Sequence, residues 1–117
     1  MGEALRVRRG LNRGDVHLFA FPFPDKTRPV VILTRDSLGP YLTKVTVAPV
    51  TSNIRGMPSV FLLDESDGMK TLCAVNLHGV MTVPKEKLGK WITTLEARHM
   101  ESICRALRFA LECDCPS

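Results

Sequence analysis

The apolar runs of this chain are short, and proline or glycine interrupts them repeatedly until a single helical stripe appears near the C-terminal end. Runs such as Val30-Val31-Ile32-Leu33 and Val45-Thr46-Val47-Ala48 are too brief for helices and rich in β-branched residues, so they read as strands. Strands are expected at Asp15–Phe21, Val30–Thr34, Lys44–Pro49, Val60–Leu63, Leu72–Leu77 and Val80–Val83. The run at Val30 is almost wholly apolar, which places it centrally, buried on both faces. Phe21-Pro22-Phe23-Pro24-Asp25-Lys26 reads as a loop, because two prolines do not fit a sheet interior. Arg35–Tyr41 and Ile54–Pro58 are further loops, and Asp64–Gly68 is a polar turn.

The stripe that closes the chain is helical. Met100, Ile103, Cys104, Leu107, Ala110 and Leu111 fall on one face, while Arg98, Glu101, Ser102, Arg105 and Glu112 fall on the other. Thr93 and Glu96, three residues apart, have the spacing of a capping box, which predicts a helix over 94–113. Short strands followed by one helix imply a mainly β fold: a small, strongly bent antiparallel barrel with a C-terminal α-helix packed on it.

At 117 residues the chain makes one domain, expected over 13–113, with a basic arm at 1–12 and a short tail at 114–117. No apolar stretch approaches the ~20 residues of a membrane span. The N-terminal residues lack the apolar core of a signal peptide, so the expected location is cytoplasmic. The four cysteines, Cys73, Cys104, Cys113 and Cys115, are then expected as thiols. Cys113-Asp114-Cys115 lacks zinc-ribbon spacing, and neither metal nor cofactor is expected.

The formal charge is a modest +4, and its placement says more than its size. Arg6, Arg8, Arg9 and Arg13 crowd the start of the chain; Lys26, Arg28, Arg35 and Arg55 flank two strand ends. Thr27-Arg28-Pro29 opens one apolar run, and Pro49-Val50-Thr51-Ser52-Asn53 closes another. A guanidinium matches phosphate oxygens bidentately, and a threonine hydroxyl donates or accepts. If the two strands are neighbours, Arg28 and Thr51 meet on one rim, a plausible phosphodiester site.

Gly14-Asp15-Val16, Arg28-Pro29-Val30-Val31-Ile32 and Val47-Ala48-Pro49-Val50-Thr51 come in the order and spacing of the MazF/PemK toxins. Cys73-Ala74-Val75-Asn76-Leu77, Thr82-Val83-Pro84-Lys85 and Thr93-Thr94-Leu95 agree with that pattern. The chain therefore resembles the mRNA interferases of type II toxin–antitoxin modules over roughly residues 12 to 113. The resemblance implies an SH3-like barrel of the PemK/CcdB type that works as a homodimer. It also implies a toxin that cuts single-stranded RNA at a short sequence, restrained by a cognate antitoxin with an acidic C-terminal tail. His17-Leu18 stands where the family often carries an aromatic pair, and the 21–27 loop is short.

RNA carries its own nucleophile, the 2′-hydroxyl, so such an enzyme needs chiefly to align attack and to stabilise charge on the phosphoryl group. Arg28 suits the second task and Thr51 would orient the reacting oxygens. Taking a proton from a guanidinium at pH 7 costs roughly 8 kcal/mol, which argues against arginine as the base. The structural alternative pairs Arg28 with Asp25 or Asp36 across a loop and makes Thr51 the cap of its own turn. Imidazole is the natural base near neutrality, which makes His17 a candidate, although its alternating strand also suits a packed side chain. His99 is expected on the helix surface without a role. Asn76 and His78 are candidate substrate contacts, with Ser52 and Asn53 beside Thr51. Phe21, Phe23 and Lys26 in the first loop, with Arg55 and Met57 in a later one, suit stacking and edge contacts to unpaired bases. Two other readings remain: a non-catalytic nucleic-acid-binding barrel, and a gyrase-poisoning CcdB-type toxin. The latter depends on a C-terminal Trp-Gly-Ile, whereas this chain ends Cys113-Asp114-Cys115-Pro116-Ser117 and has its one tryptophan at Trp91.

Overall fold

A computed structural model describes residues 11–22, 26–35, 42–52 and 60–111. Seven strands precede one helix: β1 (Asp15–Ala20), β2 (Thr27–Ile32), β3 (Lys44–Thr51), β4 (Val60–Leu63), β5 (Cys73–Asn76), β6 (Met81–Pro84), β7 (Leu88–Thr94) and α1 (Ala97–Leu111). All pairings are antiparallel. The order across the curled sheet is β4-β5-β3-β2-β1-β7, with β6 also paired to β3. The mainly β architecture with a terminal helix is the one expected.

Alternate residues of the central strands enter two cores. Val31, Ala48 and Val50 join Val16, Leu63, Val75 and Leu77 on one side, where Leu95, Met100 and Ile103 bring in the helix. Val30, Ile32, Val45 and Val47 join Phe19 and Val83 in the other. Val30, Val31 and Ile32 are thus buried on both faces, and each such side chain contributes about 1.5–3 kcal/mol by leaving water.

Several strand boundaries depart from expectation. β2 begins at Thr27, so Arg28 and Pro29 lie within the strand and pair with Phe19 and Leu18. Pro29 is tolerated because β3 pairs with β2 only as far as Val30, opposite Pro49, leaving that edge open. Pro49 is accommodated similarly. β5 and β6 run as a broken partner along the other edge of β3, and the 3-10 turn Leu77–Gly79 interrupts them.

The strand β7 was not expected, because Gly89 and Lys90 obscure its pattern. It pairs with β1 through two register shifts, an irregularity that alternation cannot reveal. That pairing also overturns the capping box. Val16 pairs with Thr93 and Asp15 with Thr94, which keeps both threonines in the sheet. The Thr94 hydroxyl donates to Asp15 Oδ1 at 2.7 Å. The helix starts later, at Ala97, and the Glu96 carbonyl accepts the backbone N–H groups of His99 and Met100. The Glu96 carboxylate instead accepts from Arg98 Nε at 2.7 Å.

His99 is likewise not a bare surface residue. Its ring packs against Phe61, with centroids 5.4 Å apart, and Nδ1 lies 3.3 Å from Asp67 Oδ1. Cys73 is buried and Cys104 half-buried beside Arg13; both are free thiols. Residues 1–10 of the expected arm, Cys113, Cys115 and the tail lie outside the described residues. Leu11 packs against the second core, and the Asn12 N–H donates to Asp15 Oδ2 at 3.0 Å.

Candidate active site

The site forms where β2 and β3 part. Val30 and Pro49 are the last residues joining the two strands. Arg28 and Thr51 each lie two residues farther along, and side chains two apart in a strand share a face. Both are half-buried, neither sealed in the interior nor fully solvated. β5 holds Thr51 from the other edge of β3, through the pair Thr51–Ala74.

A cleft of about 510 Å³ occupies the divergence. Arg28, Pro29, Val50 and Ser52 contribute to one side; Met69, Lys70, Thr71 and Cys73 to another; Leu18 with Lys90, Trp91 and Ile92 completes it. Lys26 is exposed immediately before β2, and Ser52 is exposed after β3. Asn76 Oδ1 accepts the His78 backbone N–H at 3.0 Å, capping the 3-10 turn and leaving His78 exposed. Pairing of Val50 with Val75 sets Asn76 next to Pro49 in the register, close to the strand end that carries Thr51. Phe23, Asn53, Arg55 and Met57 lie outside the described residues. The lining by Lys70, Lys90 and Trp91 was not legible in the sequence, since they come from separate segments and belong to no local motif.

His17 occupies a different setting. It is buried in β1, with Nδ1 2.9 Å from the Gly89 carbonyl oxygen and Nε2 3.9 Å from Asp15 Oδ2. Burial alone would lower its basicity, but the Asp15 carboxylate and Gly89 carbonyl outweigh it and hold the imidazole above its ordinary range. Burial would raise Asp15, yet His17, the Thr94 hydroxyl and the Asn12 N–H together keep it below the usual carboxylate range. His17 is therefore tied into the β1–β7 seam, and it is absent from the lining of the cleft. Among the described residues there is no grouping of three His, Cys, Asp or Glu arranged to hold a metal ion.

Chemically, the cleft offers the Arg28 guanidinium, the Ser52 and Thr71 hydroxyls and the Lys70 and Lys90 ammonium groups beside apolar surface; Thr51, between Val50 and Ser52, is not among its lining residues. Comparison with known proteins identifies the family. Residues 12–111 match the family described as PemK-like, MazF-like toxin of type II toxin-antitoxin system. Endoribonuclease MazF3 of Mycobacterium tuberculosis is 37% identical over 90 residues, covering 77% of this chain and 87% of the relative. The solved structure of the Mycobacterium tuberculosis toxin MazF-mt6 superposes with a TM-score of 0.76 at 34% identity, covering 84% of this chain and 96% of its own. A mycobacterial endoribonuclease solved in complex with its cognate antitoxin shares the fold, with a TM-score of 0.79 at 22% identity, covering 92% of this chain and 100% of its own. The chain belongs to the PemK-like, MazF-like toxins of type II toxin–antitoxin systems.

Proposed function

We propose that this chain is a toxin endoribonuclease that cleaves single-stranded RNA at a short specific sequence without a metal ion. The observation that supports the reading is the continuation of one register: Arg28 and Thr51 follow the terminal pair Val30–Pro49, Arg28 lines a cationic cleft, and Thr51 sits between its lining residues Val50 and Ser52. In the proposed step the 2′-hydroxyl oxygen bonds to the adjacent phosphorus and the bond from phosphorus to the 5′-oxygen breaks. The products are a 2′,3′-cyclic phosphate and a free 5′-hydroxyl; the proton lost at one oxygen is balanced by one gained at the other.

Arg28 holds the phosphoryl oxygens as charge develops on them, an interaction worth about 3–4 kcal/mol when preorganised. Thr51 hydrogen-bonds the same group or orients the 2′-hydroxyl. Ser52, Asn53, Asn76 and His78 contact the substrate beside the reacting group, and Phe23, Lys26 and Arg55 contact its unpaired bases. His17 maintains the seam rather than taking the proton. The working form is a homodimer, and a cognate antitoxin with an acidic tail inhibits it by occupying the cationic groove. The solved mycobacterial complex supports an antitoxin partner by analogy of fold.

The test is cleavage of an unpaired RNA in excess EDTA, followed by analysis of the ends. Cyclic phosphate and 5′-hydroxyl termini are expected, and a 2′-deoxy substitution at the cut nucleotide blocks the reaction. Cleavage that needs added metal, or that survives the 2′-deoxy substitution, refutes the mechanism.

A further inference from the structure

We propose that the cleft beside Arg28 seats one unpaired nucleotide next to the scissile phosphate, with its base against Trp91 and its phosphate between Lys70 and Lys90. The inference rests on the endoribonuclease reading above and extends it to a subsite for substrate selection.

The chemistry of the lining points to this occupant. Leu18, Met69 and Trp91 supply apolar and aromatic surface, whereas Arg28, Lys70 and Lys90 supply three cations, and no carboxylate is among the described lining residues. Trp91 is 38% exposed, which leaves part of the ring accessible, and its indole N–H donates to Thr94 Oγ1 at 2.9 Å. That bond restrains the ring, so less freedom is lost when a base stacks on it. A cleft of about 510 Å³ falls inside the ~300–1,000 Å³ range of small-ligand sites. An acidic peptide would match only the cations. A nucleotide matches them with its phosphates and the apolar wall with its base.

Trp91 is the single tryptophan of the chain, so its fluorescence reports this place alone. The full-length protein is titrated with a single-stranded RNA oligonucleotide carrying 2′-O-methyl groups throughout, which cannot be cut. Saturable quenching is expected. Trp91→Ala raises KM for the cleavable RNA on the order of tenfold with little change in kcat, and Trp91→Phe recovers most of that loss. Lys70→Ala and Lys90→Ala each weaken binding and reduce the salt slope of log affinity by about 0.7. Should wild-type protein cut RNA while its emission stays constant and the Trp91 and lysine variants keep their KM, the subsite is wrong and the nuclease reading survives. Quenching by an acidic peptide but not by RNA also overturns it. Failure of the wild-type protein to bind or cut any RNA overturns both proposals.

Discussion

Arg28 and Thr51 stand at equal distances beyond the last paired residues of two strands that have begun to separate. A continued ladder would have occupied both with sheet hydrogen bonds and neighbouring side chains. Because β3 pairs instead with β5, Arg28 borders an opening and Thr51 lies between its lining residues Val50 and Ser52, while each remains anchored by a strand on its far side. Rigid anchoring and an open front are what an electrostatic clamp requires.

Replacing Arg28 by alanine is therefore expected to lower kcat/KM for RNA cleavage by at least about a hundredfold with the fold intact by circular dichroism. Arg28→Lys keeps the charge but loses the planar fork, and should recover only part of the rate. Thr51→Ala is expected to lose at least about tenfold, with Thr51→Ser restoring most of it. Wild-type rates in Arg28→Ala would remove the guanidinium from the mechanism.

Much of this was visible in the residues alone. The two-faced burial of Val30, Val31 and Ile32 follows from their unbroken apolar run, and the order of the Arg28 and Thr51 segments already suggested a shared rim. What could not be seen were consequences of pairing at long range. Thr93 and Glu96 carry a helix-start signal, but backbone pairing of Val16 with Thr93 and Asp15 with Thr94 outweighs it. Local preferences of that kind contribute about 1 kcal/mol, less than an edge strand gains from pairing and packing. The lining of the cleft was equally hidden: Lys70 and Lys90 are brought together only by the path of the chain around the sheet.

Gly68 closes the 3-10 turn Glu65–Asp67 with φ of 92°, and a Cβ there would come within 2.6 Å of Thr93 Oγ1. Gly14 has a similar φ of 93°, but its nearest obstacle is the flexible Met100 side chain at 3.3 Å. Both alanine substitutions incur the left-handed penalty of about 1–2 kcal/mol. Only Gly68→Ala adds overpacking against a strand residue, for a total loss of about 2–4 kcal/mol. Urea unfolding should rank Gly68→Ala clearly below Gly14→Ala; equal midpoints would contradict the described turn.

Ile103 is fully buried where α1 meets the sheet. Ile103→Ala should cost about 2–5 kcal/mol through lost burial and the cavity left behind. Cleavage by the fraction still folded should be unchanged, because the side chain lies in the core rather than in the cleft. Chemical denaturation combined with activity per folded molecule separates the two effects, and loss of specific activity would show that the helix helps shape the cleft.

The Asp15–His17 seam makes stability depend on pH in both directions. His17 is held above its ordinary value of 6.5, so its contribution is complete below about pH 6.5 and fades as pH rises through the higher native value. Asp15 is held below its ordinary 3.8, so its contribution is complete above about pH 4 and fades as pH falls through the lower native value. Thermal unfolding should give a plateau between these limits with a decline on each side. His17→Gln should flatten the alkaline decline while retaining cleavage, since the imidazole serves the β1–β7 seam. Asp15→Asn should remove the acidic limb due to this carboxyl and lower stability at neutral pH, because the hydrogen bonds that the carboxylate accepts from Thr94 and Asn12 are weakened together and its charge is lost beside His17. Loss of cleavage in a fully folded His17→Gln variant would instead place that imidazole in the reaction.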